Sequence, residues 1–245
     1  MVQGRFGTER RAPQGRRGQL LSTEAMEVVE ALRTCGAVRG FTDDHVGDDV
    51  VAAILDDARF APSGGNQQPW RVAVVKSTTV RREMASLMRP VWEEYAGAQA
   101  AGKRAFAFGR STGDPPVAVP NALVDHIETV PVVLAVAADL RKVAIMDGNV
   151  SHRPAVVGGA SIYPFCWSIL LAARARGLGG VLTTFLSRAE AAAAPVLGLP
   201  TEHALVATIF LGVPTHQNTR LRRNPVSSFT TIDRFDGDTF DVAGS

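Results

Sequence analysis

Residues 61–70 read APSGGNQQPW. Upstream, residues 48–60 (DDVVAAILDDARF) repeat apolar side chains at the three- and four-residue spacing of a helix with one buried face. Downstream, residues 71–77 (RVAVVKS) have the β-branched, nearly continuous apolar character of a strand, and VAVV predicts burial on both faces. A helix-to-strand link needs only a few turn residues. This one carries two glycines, Ser63, Asn66, Gln67, Gln68, two prolines and Trp70. Glycine lets a backbone approach a ligand closely. Ser63, Asn66 and Gln68 offer groups that both donate and accept hydrogen bonds, a set suited to the edge of a planar heterocycle. A plain turn would also use Gly, Ser and Asn.

Working outward, Ser22 is a plausible N-cap for a helix over TEAMEVVEALRT, which ends near Cys35-Gly36. Asp48 is positioned to cap the next helix and Pro62 to stop it. A further helix begins at Thr78 or Thr79 and is kinked or broken at Pro90. Residues 102–128 mix aromatics, glycines and prolines without a period, which reads as a lid or a surface excursion. Trp92, Tyr95, Phe106 and Phe108 form either an apolar wall for a flat substrate or ordinary packing. A second buried strand covers 131–137 (PVVLAVA). Residues 158–177 make a helix apolar nearly all round, which must be buried on more than one side. GVLTTFLS (180–187) is a third strand, 188–197 a short helix, and HALVATIFLGVP (203–214) a fourth strand. The order predicts one α+β domain with a mixed sheet flanked by helices. It spans residues 21–237, with the lid-like segment at about 90–128 and a C-terminal tail over 238–245.

The bulk numbers fit that picture. A chain of 245 residues with 46 % hydrophobic content can bury a sizeable core. A net charge of only +2 argues against a general nucleic-acid binder. Residues 1–20 are an exception, with Arg5, Arg10, Arg11, Arg16 and Arg17 among Gly, Gln and Pro; this composition reads as a disordered basic extension. No apolar run follows these arginines as a secretory signal requires, and no apolar run is long enough to cross a bilayer. Cys35 and Cys166 lie far apart, and the five histidines never pair at ligand spacing, so no disulfide framework or metal site is expected. The expectation is a soluble cytoplasmic protein. There is no GxxxxGK[ST] and no GxSxG. Gly-Leu-Gly-Gly at 177–180 lies between a helix and a strand, the reverse of a dinucleotide fingerprint. Gly179 and Gly180 nevertheless permit close backbone approach. Arg39, Arg220, Arg222 and Arg223 are guanidinium forks suited to phosphate, although exposed arginines are more often solvated charges.

Three pieces in this order resemble the nitroreductase family of FMN-dependent oxidoreductases. They are ARFAPSGGNQQPWRVAVV, similar to the family's APSxxNxQPW signature, then LLAARARGLGGVLTT, and LGVPTHQNTRLRRNPV near the end. The resemblance implies a nitroreductase-like sheet, mainly antiparallel, in an intertwined homodimer with two FMN sites at the interface. It places Pro62, Ser63 and Gly64 along the flavin, Asn66 and Gln68 at its polar edge, and the Gly179 and Gly180 backbone near N5. The family's Arg-x-Ser-x-Arg stretch aligns with residues 35–39, where only Arg39 is kept, so the phosphate falls to Arg39, Arg222 and Arg223. The implied activity is ping-pong hydride transfer from NAD(P)H through flavin N5 to a small electron-poor acceptor such as a nitroaromatic or quinone. No side-chain catalyst is required. Flavin-fragmenting or dehalogenating chemistry, or FMN binding without turnover, are the alternatives.

Overall fold

The computed structural model describes residues 26–241. The basic extension, the Ser22 cap and the last tail residues lie outside that range. The elements are α1 (Val28–Thr34), α2 (Asp48–Ala58), β1 (Trp70–Val74), α3 (Thr78–Ala100), α4 (Ala122–Asp125), β2 (Val132–Asp139), α5 (Tyr163–Ala175), β3 (Gly179–Thr183), α6 (Phe185–Arg188), α7 (Glu190–Leu197) and β4 (His203–Gly212). Short 3-10 turns join several of them. The four strands pair in the order β1-β2-β4-β3, every pair antiparallel. The expected parallel component shrinks to an isolated bridge between Ala37 and Gly180, with the Val38 N–H donating to the Gly180 carbonyl at 2.9 Å.

The sheet is covered on both faces. On one, Leu134, Val136, Ile209 and Leu211 pack against Val51 and Ile54 of α2 and Phe165, Cys166 and Ile169 of α5. On the other, Val133, Ala135, Val181 and Phe210 meet Met84 and Met88 of α3, Leu123 of α4 and Leu186 of α6. All eight residues of β2 are therefore buried, as its apolar run requires. The expectation for β1 is corrected. It is an edge strand, its residues are half-buried or exposed, and Val74 is 40 % exposed. An apolar run alone does not distinguish a central strand from an edge whose outer neighbour is solvent. Arg81 is buried and ties the ends of β1 and β2 together, donating to the carbonyls of Val75 at 2.8 Å and Val130 at 2.6 Å.

Other boundaries move. Gly47, not Asp48, holds the N-cap position of α2, and the Asp48 carboxylate pairs with Lys76 instead. Helix α2 ends at Ala58, with Arg59 as its C-cap, so Pro62 is not what stops it. Helix α3 runs unbroken past Pro90, with Ser77 as its cap. Its first-turn geometry comes from the Ser77 side chain, which accepts from the Val80 N–H. The apolar helix starts at Tyr163, where Pro164 sits in the first turn and lacks only an N–H the helix does not use. The third strand ends at Thr183, and the segment after it forms α6 and α7 in place of one helix.

Candidate functional site

The 61–70 loop is a folded object. Asn66 donates its N–H to the Ser63 carbonyl at 2.9 Å. The Ser63 hydroxyl accepts from the Gln68 N–H at 3.0 Å, and the Gln68 amide donates to Asn66 Oδ1 at 3.1 Å. Gly65, Asn66 and Gln68 all adopt positive φ (57°, 53° and 48°). Glycine takes that region freely; the other two cost roughly 1 kcal/mol or more each and persist only where surroundings fix them. Two anchors do so. Trp70 stacks flat on Phe165 of α5, with centroids 4.6 Å apart and planes 1° off parallel, worth about 1 kcal/mol beyond area burial. The Gly64 N–H donates to the Ser161 hydroxyl at 3.0 Å, across 97 residues of sequence. The tryptophan of the motif is thus a structural post, and Pro62, Gly64, Asn66 and Gln68 are left exposed while Ser63 is half-buried. Pro62, Ser63, Gly64 and Ser161 line a 260 Å³ cleft together with Ala144, Met146, Val157 and Ala160.

A second cleft, of 450 Å³, gathers Cys35, Gly36, Ala37, Arg39, Tyr163, Trp167, Gly180, Leu182 and Arg223. The C-terminal segment reaches it by crossing Gly36, where a Cβ would lie 2.9 Å from Leu221; Gln217 fastens the crossing by donating to the Thr34 carbonyl at 3.0 Å. Arg39 and Arg223 thus share one cleft, as the phosphate-binding expectation requires. Arg222 is exposed, and its carbonyl accepts from Arg223 Nη1. The neighbouring Cys35 thiol is pushed up by burial, with Arg174 pulling the other way, so it is no thiolate nucleophile at neutral pH. Gly179 and Gly180 have a packing reason for lacking side chains: a Cβ at Gly179 would lie 2.7 Å from Val38, and one at Gly180 2.5 Å from Leu211. Gly180 lines the cleft, whereas Gly179 is buried beneath Val38.

A third cleft, of 610 Å³, is lined by Arg39, Trp92, Tyr95, Gln99, Asn121, Leu182, Thr183, Thr184 and Phe185, among others. Trp92, Tyr95 and Phe185 form one aromatic cluster with centroids 5.8–6.0 Å apart, and Phe106 joins it 6.5 Å from Tyr95. The Trp92 indole N–H donates to the Val119 carbonyl at 2.6 Å, fixing the ring. Three of the four aromatic residues expected in the lid therefore come together; the Phe108 side chain lies outside the described residues.

Sequence reasoning missed Phe185 and Thr183 by reading them as one strand, and it missed Ser161, whose partner is remote in sequence. The Thr183 hydroxyl is buried without a hydrogen-bond partner, an unusual state for a native polar group. Among the described residues no cluster of His, Cys, Asp and Glu is suited to a metal, and no helix is long and apolar enough to cross a membrane.

The family model described as "Nitroreductase family" matches residues 33–213. An NADH dehydrogenase of Thermus thermophilus is 26 % identical over 78 % of this chain and 88 % of its own length. Iodotyrosine deiodinase 1 of mouse is 24 % identical over 82 % of this chain and 67 % of its own. Among solved structures, the NADPH:FMN oxidoreductase of Vibrio harveyi complexed with NAD+ superposes with a TM-score of 0.60 at 20 % identity, covering 84 % of this chain and 76 % of that one.

Proposed function

The chain belongs to the nitroreductase family, and from that premise we propose that it is an FMN-dependent oxidoreductase that takes hydride from NAD(P)H and passes it to a small, planar, electron-poor acceptor. The observation that carries this reading is the junction of two clefts: Arg39 and Leu182 line both the 450 Å³ cleft and the 610 Å³ aromatic one. Ligands in the two would abut there, the arrangement a transfer between bound molecules needs.

The residues fit FMN. Arg39 and Arg223 supply guanidinium groups for a phosphate. Tyr163 and Trp167 supply flat apolar surface, and the unpaired Thr183 hydroxyl supplies a donor and an acceptor in the aromatic cleft. FMN, when bound, supplies the two-electron chemistry that no side chain here can. Arg39 and Arg223 would bind its phosphate, and Trp92, Tyr95 and Phe185 would offer the acceptor an apolar wall.

The site is composite in this reading. Pro62, Ser63 and Gly64 line a different cleft from Arg39 and Arg223 within one chain, so a complete site takes the 61–70 loop from a second copy. A homodimer is further supported by exposed apolar groups on α1 and α5: Val28, Val29, Leu32, Tyr163 and Trp167 are each at least 40 % exposed, more than a solitary chain usually leaves contiguous. The test is the visible spectrum after adding FMN and desalting, then NADH or NADPH under argon. Retained flavin absorbance that bleaches with a donor is expected. Protein that retains flavin but never bleaches would reduce the proposal to a binding role, and protein that retains none would remove the cofactor from it.

A further inference from the structure

The aromatic cleft does not end at Tyr95. That residue and Gln99 also line an adjoining 460 Å³ cleft whose other walls are Gly102, Lys103, Arg104 and Ala105. The two spaces therefore meet at one hydrogen-bonded pair, the Gln99 amide donating to the Tyr95 hydroxyl at 2.9 Å. A phenol that accepts one bond keeps its own proton to donate, and no acceptor for it is found among the described residues. The charges around the annex point the same way. Lys103 is held 2.6 Å from Asp114, and Glu94 faces Arg188 at 3.7 Å, so these two carboxylates each have a cation beside them, although one oxygen of each has no hydrogen-bond partner. Arg104 has no ion pair among the described residues. Beside the Gln99 amide and the paired Lys103, the annex presents to a ligand one uncompensated guanidinium and one free O–H, both donors.

We propose that the annex is an anion subsite. The ligand of the aromatic cleft would be a planar ring carrying an oxyanion, with the ring against Trp92, Tyr95 and Phe185 and the anion on Arg104 and the Tyr95 hydroxyl. This rests on the oxidoreductase reading for what the ligand is used for. The same chemistry has two sources: a carboxylate on the acceptor, or a phosphate of the hydride donor.

The test reads binding without turnover, as quenching of tryptophan fluorescence by 4-nitrobenzoate, nitrobenzene, NADP+ and NAD+. Arg104→Ala is expected to weaken at least one anionic ligand about tenfold, the size of one charge-assisted hydrogen bond, and to leave nitrobenzene unchanged. Tyr95→Phe keeps the ring and removes the donor, and should act in the same direction. Loss for 4-nitrobenzoate alone assigns the subsite to the acceptor. Loss for the dinucleotides alone assigns it to the donor, and loss for both means the two occupy it in turn. Arg104→Ala that leaves all four ligands unchanged, in a variant with wild-type circular dichroism, overturns the inference. If the protein shows the Arg104-dependent preference yet reduces nothing, the subsite stands and the oxidoreductase reading falls.

Discussion

At Asp147 one carboxylate holds the loop that walls the Ser63 cleft. It is buried, it accepts from Arg153, and it takes the N–H groups of Val156 and Val157 at 2.8 and 3.2 Å. Its neighbours Met146 and Val157 line the cleft opposite Pro62 and Ser63. The Arg153 guanidinium first, and the two amides after it, lower its pKa to about 2. A carboxyl so depressed contributes stability that is complete above its unfolded value of 3.8 and is lost as pH falls through about 2. Amide exchange at Val156 and Val157 should therefore quicken, relative to the core strands, over that interval. Asp147→Asn should produce the same fast exchange already at neutral pH. Equal protection of both amides in the variant and the wild type at pH 7 would mean the clasp does not hold the wall. The other buried acidic group among the described residues, Asp139, is likewise depressed by Arg141, but it sits at the end of β2.

The segment between α3 and α4, which we propose as a lid, supplies Pro120 and Asn121 to the wall of the aromatic cleft. Trp92 and Glu93 of α3 hold its far end through the Val119 carbonyl and the Val117 N–H, and one side chain of α6 holds its near end: Arg188 lies 4.3 Å over the Phe106 ring, reaches the Gly109 carbonyl at 3.5 Å, and faces Glu94 at 3.7 Å. Partly exposed contacts of these kinds contribute roughly 1 kcal/mol together, enough to bias a lid and too little to hold a fold. Arg188→Ala should raise hydrogen exchange over residues 103–110 several-fold and leave thermal stability within about 1 kcal/mol. Unchanged exchange there would assign the latch to the aromatic cluster instead.

Much of this element-level picture was legible in the sequence, for physical reasons. The continuous apolar runs of β2 and β4 can only sit in a sheet covered on both faces, and the aperiodic stretch after α3 forms no long regular element before α4. The edge position of β1 was not legible, because it depends on which strand lies beside it. Phe185 and Thr183 were hidden because the apolar character of β3 runs on into α6 without punctuation. Ser161 was beyond reach, since a single hydroxyl meeting a remote amide leaves no local pattern. Within the 61–70 loop the amides singled out as ligand-reading groups do lie exposed, while the reason for Trp70 needed Phe165 to be seen.

At the scale of the whole molecule, the division of the proposed site between two clefts makes a prediction about mixtures. Arg39→Ala should disable the half of a site that Arg39 contributes, and Gly64→Val, whose side chain would project from a position lining the Ser63 cleft, its Cβ 3.5 Å from the Ser161 hydroxyl, the other half. Each homodimer then has two defective sites. A mixed dimer has one site carrying both defects and one carrying neither, so co-expression should restore flavin binding that neither variant shows alone. No recovery in a purified mixed dimer would mean each chain builds its site by itself. The sheet order has a different consequence, for the growing chain. Strand β2 pairs on one side with β1, which precedes it, and on the other with β4, whose Leu211 and Phe210 face Val132 and Val133. During synthesis the most buried strand of the protein is therefore made long before its second neighbour exists. Until His203–Gly212 has left the ribosome, the seven apolar residues of β2 have one open hydrogen-bonding edge and no finished core to cover them, which makes the nascent chain a client for chaperones over the whole α5 to α7 stretch.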